Sequence, residues 1–224
     1  MGDFAIVAEG FTDQVVLRHV LLGFFEHLDE EPLINFEQPP DVTTERGEHA
    51  PGGWSLVIQY FEQKKFLQAL QLNRYLVVHI DTDVCEEYGV ARNNKRGPLS
   101  ASALVDAVVA KLQALIGDEL LAAHGHRFLF AIGHDSIECW LLPLVFDGSQ
   151  KAKRTKTTGC LEAINHTRRK NGDEPLSVGD SKNPDVFRSI SCAFTRRKLL
   201  DACAGKNPGF AAFHRQLSQI TPTP

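Results

Sequence analysis

Short apolar runs alternate with amphipathic stretches along most of this chain. Residues 4–8 ("FAIVA") form an unbroken apolar run of strand length, the pattern of a strand buried on both faces. After Gly10, "TDQVVLRHVLLGFFEHL" sets Val15, Val16, His19, Val20 and Leu22 at helical spacing. Thr12 is the predicted N-cap, with Asp13 in the first turn. Residues 30–53 are rich in Pro, Gly and Glu without a period and predict a long loop. "WSLVIQYF" (54–61) predicts a second strand, "EQKKFLQALQLN" a helix, and "RYLVVHI" a third strand ending at Asp81. A polar loop over 84–99 leads into "SASALVDAVVAKLQALIG", a helix capped by Ser100 or Ser102 and stopped by Gly117. "RFLFAIG" supplies a fourth strand and "SIECWLLPLVF" opens another helix. "GSQKAKRTKTTG" (148–159) predicts a mobile linker, and the remainder a helical region. Strands alternating with helices predict an α/β fold, a parallel sheet of about four strands flanked by helices. The division falls at residue 148, with a body over 1–148 and a mainly helical extension over 149–224.

Composition adds boundaries to this picture. A chain of 224 residues, 43% hydrophobic and 23% charged, has the make-up of a globular protein with one sizeable core. No apolar run reaches the roughly 18 residues of a membrane span, and the start of the chain lacks the basic and apolar regions of a secretory signal. Five scattered cysteines without a C-x-x-C pair predict reduced thiols in a cytoplasmic protein, most of them acting as small core hydrophobes. The net charge of −4 is divided unevenly: residues 1–150 carry 10 Lys+Arg against 22 Asp+Glu, and residues 151–224 carry 14 against 6. Two solvated faces would account for that division. So would an acidic site for cations beside a basic surface for phosphates.

The acids are not spread at random. Ligands of an open parallel sheet gather outside the carboxyl ends of its strands, and there the sequence puts Glu9 and Asp13 after strand one, Asp81 and Asp83 after strand three, and Asp135, Ser136 and Glu138 after strand four. Each has a plain alternative. Asp13 and Glu138 suit a helix dipole, Asp135 suits an N-cap, and D-x-D occurs in many loops. Taken together on one edge, six carboxylates would repel one another unless a cation lay among them. Hard oxygen ligands select Mg²⁺ or Mn²⁺. His79 is expected as a satisfied core histidine, His134 is a candidate for orienting water or phosphate, and Trp54 and Trp140 are expected in the core. The histidines of "HGH" (124–126) and His166 lack partners at metal spacing.

"EGFTD" after strand one, "DTD" after strand three and "DSIECWLL" after strand four resemble the Toprim domain, in the form found in the overcoming-lysogenization-defect (OLD) nucleases and their stand-alone relatives in bacterial defence loci. The resemblance covers roughly residues 4–145. It implies metal binding by Glu9, Asp81 and Asp83, a further acid at Asp13, and a downstream pair of Asp135 or Ser136 with Glu138, together holding two divalent ions. It also implies a lysine late in the domain. "SKNPDVFRSI" nominates Lys182, with Lys151, Lys153, Lys156 and Lys206 as alternatives. No G-x-x-x-x-G-K-[ST] loop is present, so the resemblance implies a separate ATPase partner.

The function expected from these residues is metal-dependent hydrolysis of phosphodiesters in DNA or RNA, tRNA included, by a chain able to form homo-oligomers and to act in antiviral defence. One alternative is a D-x-D glycosyltransferase, which leaves Glu9, Asp13, Glu138 and the basic extension without a role. Another is a non-catalytic module that binds nucleic acid or a partner on a Toprim-like scaffold.

Overall fold

The computed structural model describes residues 1–40 and 50–220. The N-terminal part runs β1 (Gly2–Val7), α1 (Phe11–Phe24), β2 (Ile34–Gln38), α2 (Trp54–Glu62), α3 (Phe66–Leu72) and β3 (Asn73–Asp81). A small hairpin of β4 (Asn93–Asn94) and β5 (Gly97–Pro98) precedes α4 (Ala101–Ile116), α5 (Asp118–His124), β6 (Phe128–Gly133) and α6 (Glu138–Val145). The remainder comprises α7 (Lys151–Arg154), α8 (Cys160–Lys170), the hairpin β7 (Ser177–Val178) and β8 (Ser181–Lys182), then α9 (Pro184–Ser191), α10 (Arg197–Ala204) and α11 (Pro208–Leu217).

The expected α/β architecture is present: β2, β1, β3 and β6 form one parallel sheet in that order. Alternation along the strands splits the core in two. Phe4, Ile6, Val77, Leu129 and Ala131 point to the face covered by α1, α6 and the C-terminal helices, while Ala5, Val7, Val78, Ile80 and Ile132 point to α2, α3 and α4.

Several local expectations are corrected. Residues 54–61 are helix, not strand: Val57, Tyr60 and Phe61 are buried at helical spacing, and Ser55 and Gln59, four apart, are exposed. The fourth strand of the sheet instead comes from within the expected loop, as β2. This half-buried edge strand, "INFEQ", has a burial pattern too uniform to show alternation. Residues 41–49 of that expected loop lie outside the described residues. The helix expected over 62–73 begins only at Phe66, after a turn in which Lys64 has φ 53°. Gly10, not Thr12, caps α1, while Thr12 is buried inside the helix. Ser100 does cap α4, its Oγ accepting from the Ala103 N–H at 3.2 Å, and Gly117 ends that helix at φ 89°. The expected linker is structured, with a 3-10 turn at Gly148–Gln150 followed by α7.

The cysteines also depart from expectation. Cys139 and Cys160 form a disulfide, leaving Cys85, Cys192 and Cys203 as free thiols, Cys192 exposed. Twenty-one positions apart, they meet only because α6 packs against α8, which spacing alone does not reveal.

Residues beyond 148 share the core of the body. Phe187, Phe194, Phe210 and Phe213 lie in the same buried cluster as Phe4 and Trp140, and the Phe210 ring stacks on Trp140 at 4.4 Å between centroids. Gln216 of α11 closes the outer edge of β6: its amide oxygen accepts from the Phe130 N–H at 2.8 Å and its amide nitrogen donates to the Phe130 carbonyl at 3.0 Å. Phe210→Ala is expected to cost about 3–5 kcal/mol in a urea titration, and a chain ended after residue 148 is expected to lose the cooperative transition.

Candidate metal centre

The carboxyl ends of β1, β3 and β6 bring the expected acids into one neighbourhood, held there largely by backbone. Glu9 follows β1, and its Oε1 accepts from the Asp81 N–H at 2.6 Å. The Glu9 carbonyl accepts from the Gly53 N–H at 2.6 Å. A Cβ at Gly52 would lie 2.1 Å from that carbonyl oxygen, so the approach requires a glycine. The Asp13 carboxylate turns back to accept from the Gly10 N–H at 2.8 Å, closing the first turn of α1.

At the end of β3, Asp81 is paired in register with Gly133. A Cβ at Gly133 would stand 2.0 Å from Asp81 Oδ1, so the absence of a side chain there is what makes room for the carboxylate. Thr82 ties the two strand ends together: its N–H donates to the Gly133 carbonyl at 2.9 Å and its hydroxyl accepts from the Asp135 N–H at 2.8 Å. Asp135 adopts φ 64°, a left-handed conformation that Asp tolerates better than most residues. Its Oδ2 accepts from the Gly159 N–H at 2.9 Å.

Asp81, Asp83, Asp135, Ser136, Glu138 and Lys182 line one cavity of about 330 Å³, which is walled on its far side by the start of α8. Glu9, bound to the Asp81 N–H, and Asp13, beside His79, are not among the lining residues. Lys182, on the β7–β8 hairpin, places Nζ 2.7 Å from Glu138 Oε1. Of the alternative lysines, Lys156 contacts the Gly159 carbonyl at 3.2 Å, Lys153 lies over the Phe146 ring, and Lys206 lines a different cavity.

Two participants were not anticipated. His79 is wholly buried, with Nδ1 3.7 Å from Asp13 Oδ2 and Nε2 3.3 Å from Asp81 Oδ1, and neither ring nitrogen has a hydrogen-bond partner among the described residues. It is therefore not the satisfied core histidine expected. Two-residue alternation puts it on the same face of β3 as Asp81, the signal that could have found it. The second is Arg92, whose guanidinium donates to the carbonyls of Thr82 and Asp83, fixing the turn after β3. His134 Nδ1 is buried without a partner among the described residues, and Trp140 is wholly buried as expected, whereas Trp54 is only partly covered.

The electrostatics follow from crowding without water. Burial, then the Asp81 and Asp13 charges, push Glu9 up to about 8. Burial followed by Asp13 and Glu138 holds Asp81 well above its ordinary value. Desolvation raises Asp83 and Asp135 as well, against the opposing N–H groups of Val84 and Gly159. Burial alone would raise Glu138, but the Lys182 ammonium outweighs it and keeps that carboxyl below its ordinary value. Burial likewise works against the Lys182 charge, and Glu138, Asp13 and Asp81 overcome it. Asp135, Cys139 and Cys160 also lie close enough to form a ligand triad, but the disulfide occupies both sulfurs.

The basic clusters of the extension are partly committed to the fold. Arg197 pairs with Asp201 at 2.8 Å, donates to the Phe24 carbonyl and covers the Phe24 ring. Arg168 and Arg169 donate to the carbonyls of Glu174 and Ser177.

No family model, curated protein or solved structure matches this chain.

Two outcomes are expected. Between about pH 4.5 and 8 the folded chain keeps a proton on Glu9 that the unfolded chain has released, so the metal-free melting temperature should fall as pH rises through that window. Glu9→Gln, which retains the acceptor for Asp81, should flatten that fall. Lys182→Met strands Glu138, which is only 1% exposed, and should destabilise by about 2 kcal/mol in a urea titration, a figure below that of a fully buried pair because the lysine side chain is 37% exposed.

Proposed function

We propose that this chain is a divalent-metal-dependent hydrolase of nucleic-acid phosphodiesters. The carrying observation is that Glu9 and Glu138, which follow β1 and β6, meet at Asp81 at the end of β3, whose Oδ1 is buried 3.3 Å from His79 Nε2 with no hydrogen-bond partner among the described residues. Carboxyls raised at Glu9 and Asp81, beside a Glu138 whose charge is met by the Lys182 ammonium, lack positive charge, and a carboxylate donor set of this kind suits Mg²⁺ or Mn²⁺.

In this reading Asp81, with Glu9 and Asp83, would hold one ion, and Glu138, with Asp135 or Ser136, the second. Asp13 supports the set from beneath through His79 and Asp81. Bound ions of this kind lower the pKa of water and offset charge on a phosphate. Lys182, carried at the cavity by its hairpin, exchanges Glu138 for a phosphate oxygen and supplies charge to the transition state. Gly159 holds Asp135 through its N–H, and Arg92 keeps Thr82 and Asp83 in place. The glycosyltransferase alternative gives Glu9, Asp13 and Glu138 no part, although they belong to the same charged cluster.

The resemblance to OLD-type Toprim proteins supports the same reading and adds a separate ATPase partner, a defence role and a cytoplasmic setting to the proposal. The Cys139–Cys160 bridge stands against that setting, since such bonds are rare in cytosolic proteins. No helix among the described residues is long and apolar enough to cross a membrane.

Incubation with supercoiled plasmid and with tRNA, in Mg²⁺ or Mn²⁺ and again with chelator, is the test. Cleavage that chelator stops and that Asp81→Asn lowers by about a hundredfold or more is expected. Cleavage that persists in chelator, or no cleavage of either substrate, contradicts the proposal.

A further inference from the structure

A second cavity, of about 430 Å³, lies between the start of α4, the segment before α8 and the length of α11 from Pro208 to Arg215. Its polar lining is Ser102, Thr155, Thr157, Lys206, Asn207 and Arg215. Lys206 and Arg215 are exposed, and neither forms an ion pair among the described residues, unlike Arg197 and Lys182. One carboxylate, Asp106, shares the cavity, so its cations outnumber its acids.

Asn207 adds an independent mark. It is 2% exposed, and its Oδ1 accepts from the Gly209 and Phe210 N–H groups, capping α11. Its Nδ2 is left buried without a partner among the described residues. Hydroxyls, two cations and a spare amide donor form a set that suits an oxyanion and no cation.

The position of this cavity relative to the metal centre gives it meaning. Thr155 and Thr157 line the basic cavity, and Gly159 and Cys160, a few residues on, line the acidic one. One short segment is therefore a wall of both. The Gly159 N–H donates to Asp135 Oδ2 at 2.9 Å, so that wall is tied to the loop after β6.

We propose that the basic cavity is a phosphate subsite, which takes a phosphate of a nucleic-acid strand flanking the one presented to the acidic cavity. This rests on the hydrolase reading and narrows it: the substrate is a strand with successive phosphates, and a nucleoside monophosphate could not fill both cavities.

The test is binding of a fluorescent single-stranded oligonucleotide to the full chain in chelator, across a salt series, with pyrophosphate as competitor. The double variant Lys206→Ala with Arg215→Ala should bind at least about tenfold more weakly and lose pyrophosphate competition. Its salt slope should flatten by about 0.7, the contribution of one phosphate contact on a single strand. Its melting temperature should match the wild type, since both side chains are exposed. Unchanged affinity and slope in the double variant overturn the subsite, as does failure of the wild type to bind the oligonucleotide. Metal-dependent cleavage measured on the same samples separates the two ideas. A cleaving wild type whose double variant binds normally overturns the subsite alone. A non-cleaving wild type whose double variant loses binding supports the subsite and overturns the hydrolase.

Discussion

The dominant constraint is the concentration of carboxylates at one edge of the sheet, where burial and mutual repulsion both oppose their charge. A parallel sheet collects the ends of its strands, and here three of those ends carry Glu9, Asp81 and Asp135. Around them the chain spends its special backbone features: Gly52 where the Glu9 carbonyl needs space, Gly133 where Asp81 does, and the left-handed Asp135 where the chain turns away from β6. These positions leave Asp81 little freedom to relieve its crowding by moving. What remains is to keep protons, to bind Lys182, or to bind a cation.

Lys182 shows why the C-terminal extension belongs to the site as well as to the core. Helix α11 buries Phe210 and Phe213 against Trp140, and the β7–β8 hairpin earlier in the extension brings an ammonium to Glu138. Packing and electrostatics are thus coupled: the helix that starts at Glu138 also presents Trp140 to Phe210. Loss of the extension would expose the core and leave the most deeply buried of the cavity's acids unpaired.

Much of this was legible in the sequence. Apolar runs at 4–8, 74–80 and 128–132 are three of the four strands, and the acids after them share one neighbourhood. The edge strand was not legible because Asn35, Glu37 and Gln38 do not need to be apolar at a half-buried edge, and 54–61 misled because an apolar run of helix length resembles a strand of the same composition. His79 was misjudged for a related reason: burial was foreseeable, but its two neighbouring carboxylates come from α1 and from two residues along its own strand. Thr82, Arg92 and the Cys139–Cys160 pairing depend on contacts between segments distant in the chain, which no local period encodes.

The central claim is that this acidic edge is a divalent-cation site. Crystals grown at or above about pH 8, where the Glu9 carboxyl begins to be mostly ionised, and soaked in Mn²⁺ would test it through anomalous scattering. The account predicts a manganese peak within coordination distance of Asp81 and Glu138 carboxylate oxygens, with the Lys182 ammonium displaced from Glu138. A saturating soak that leaves the Lys182–Glu138 pair intact and puts manganese only at surface carboxylates would contradict it.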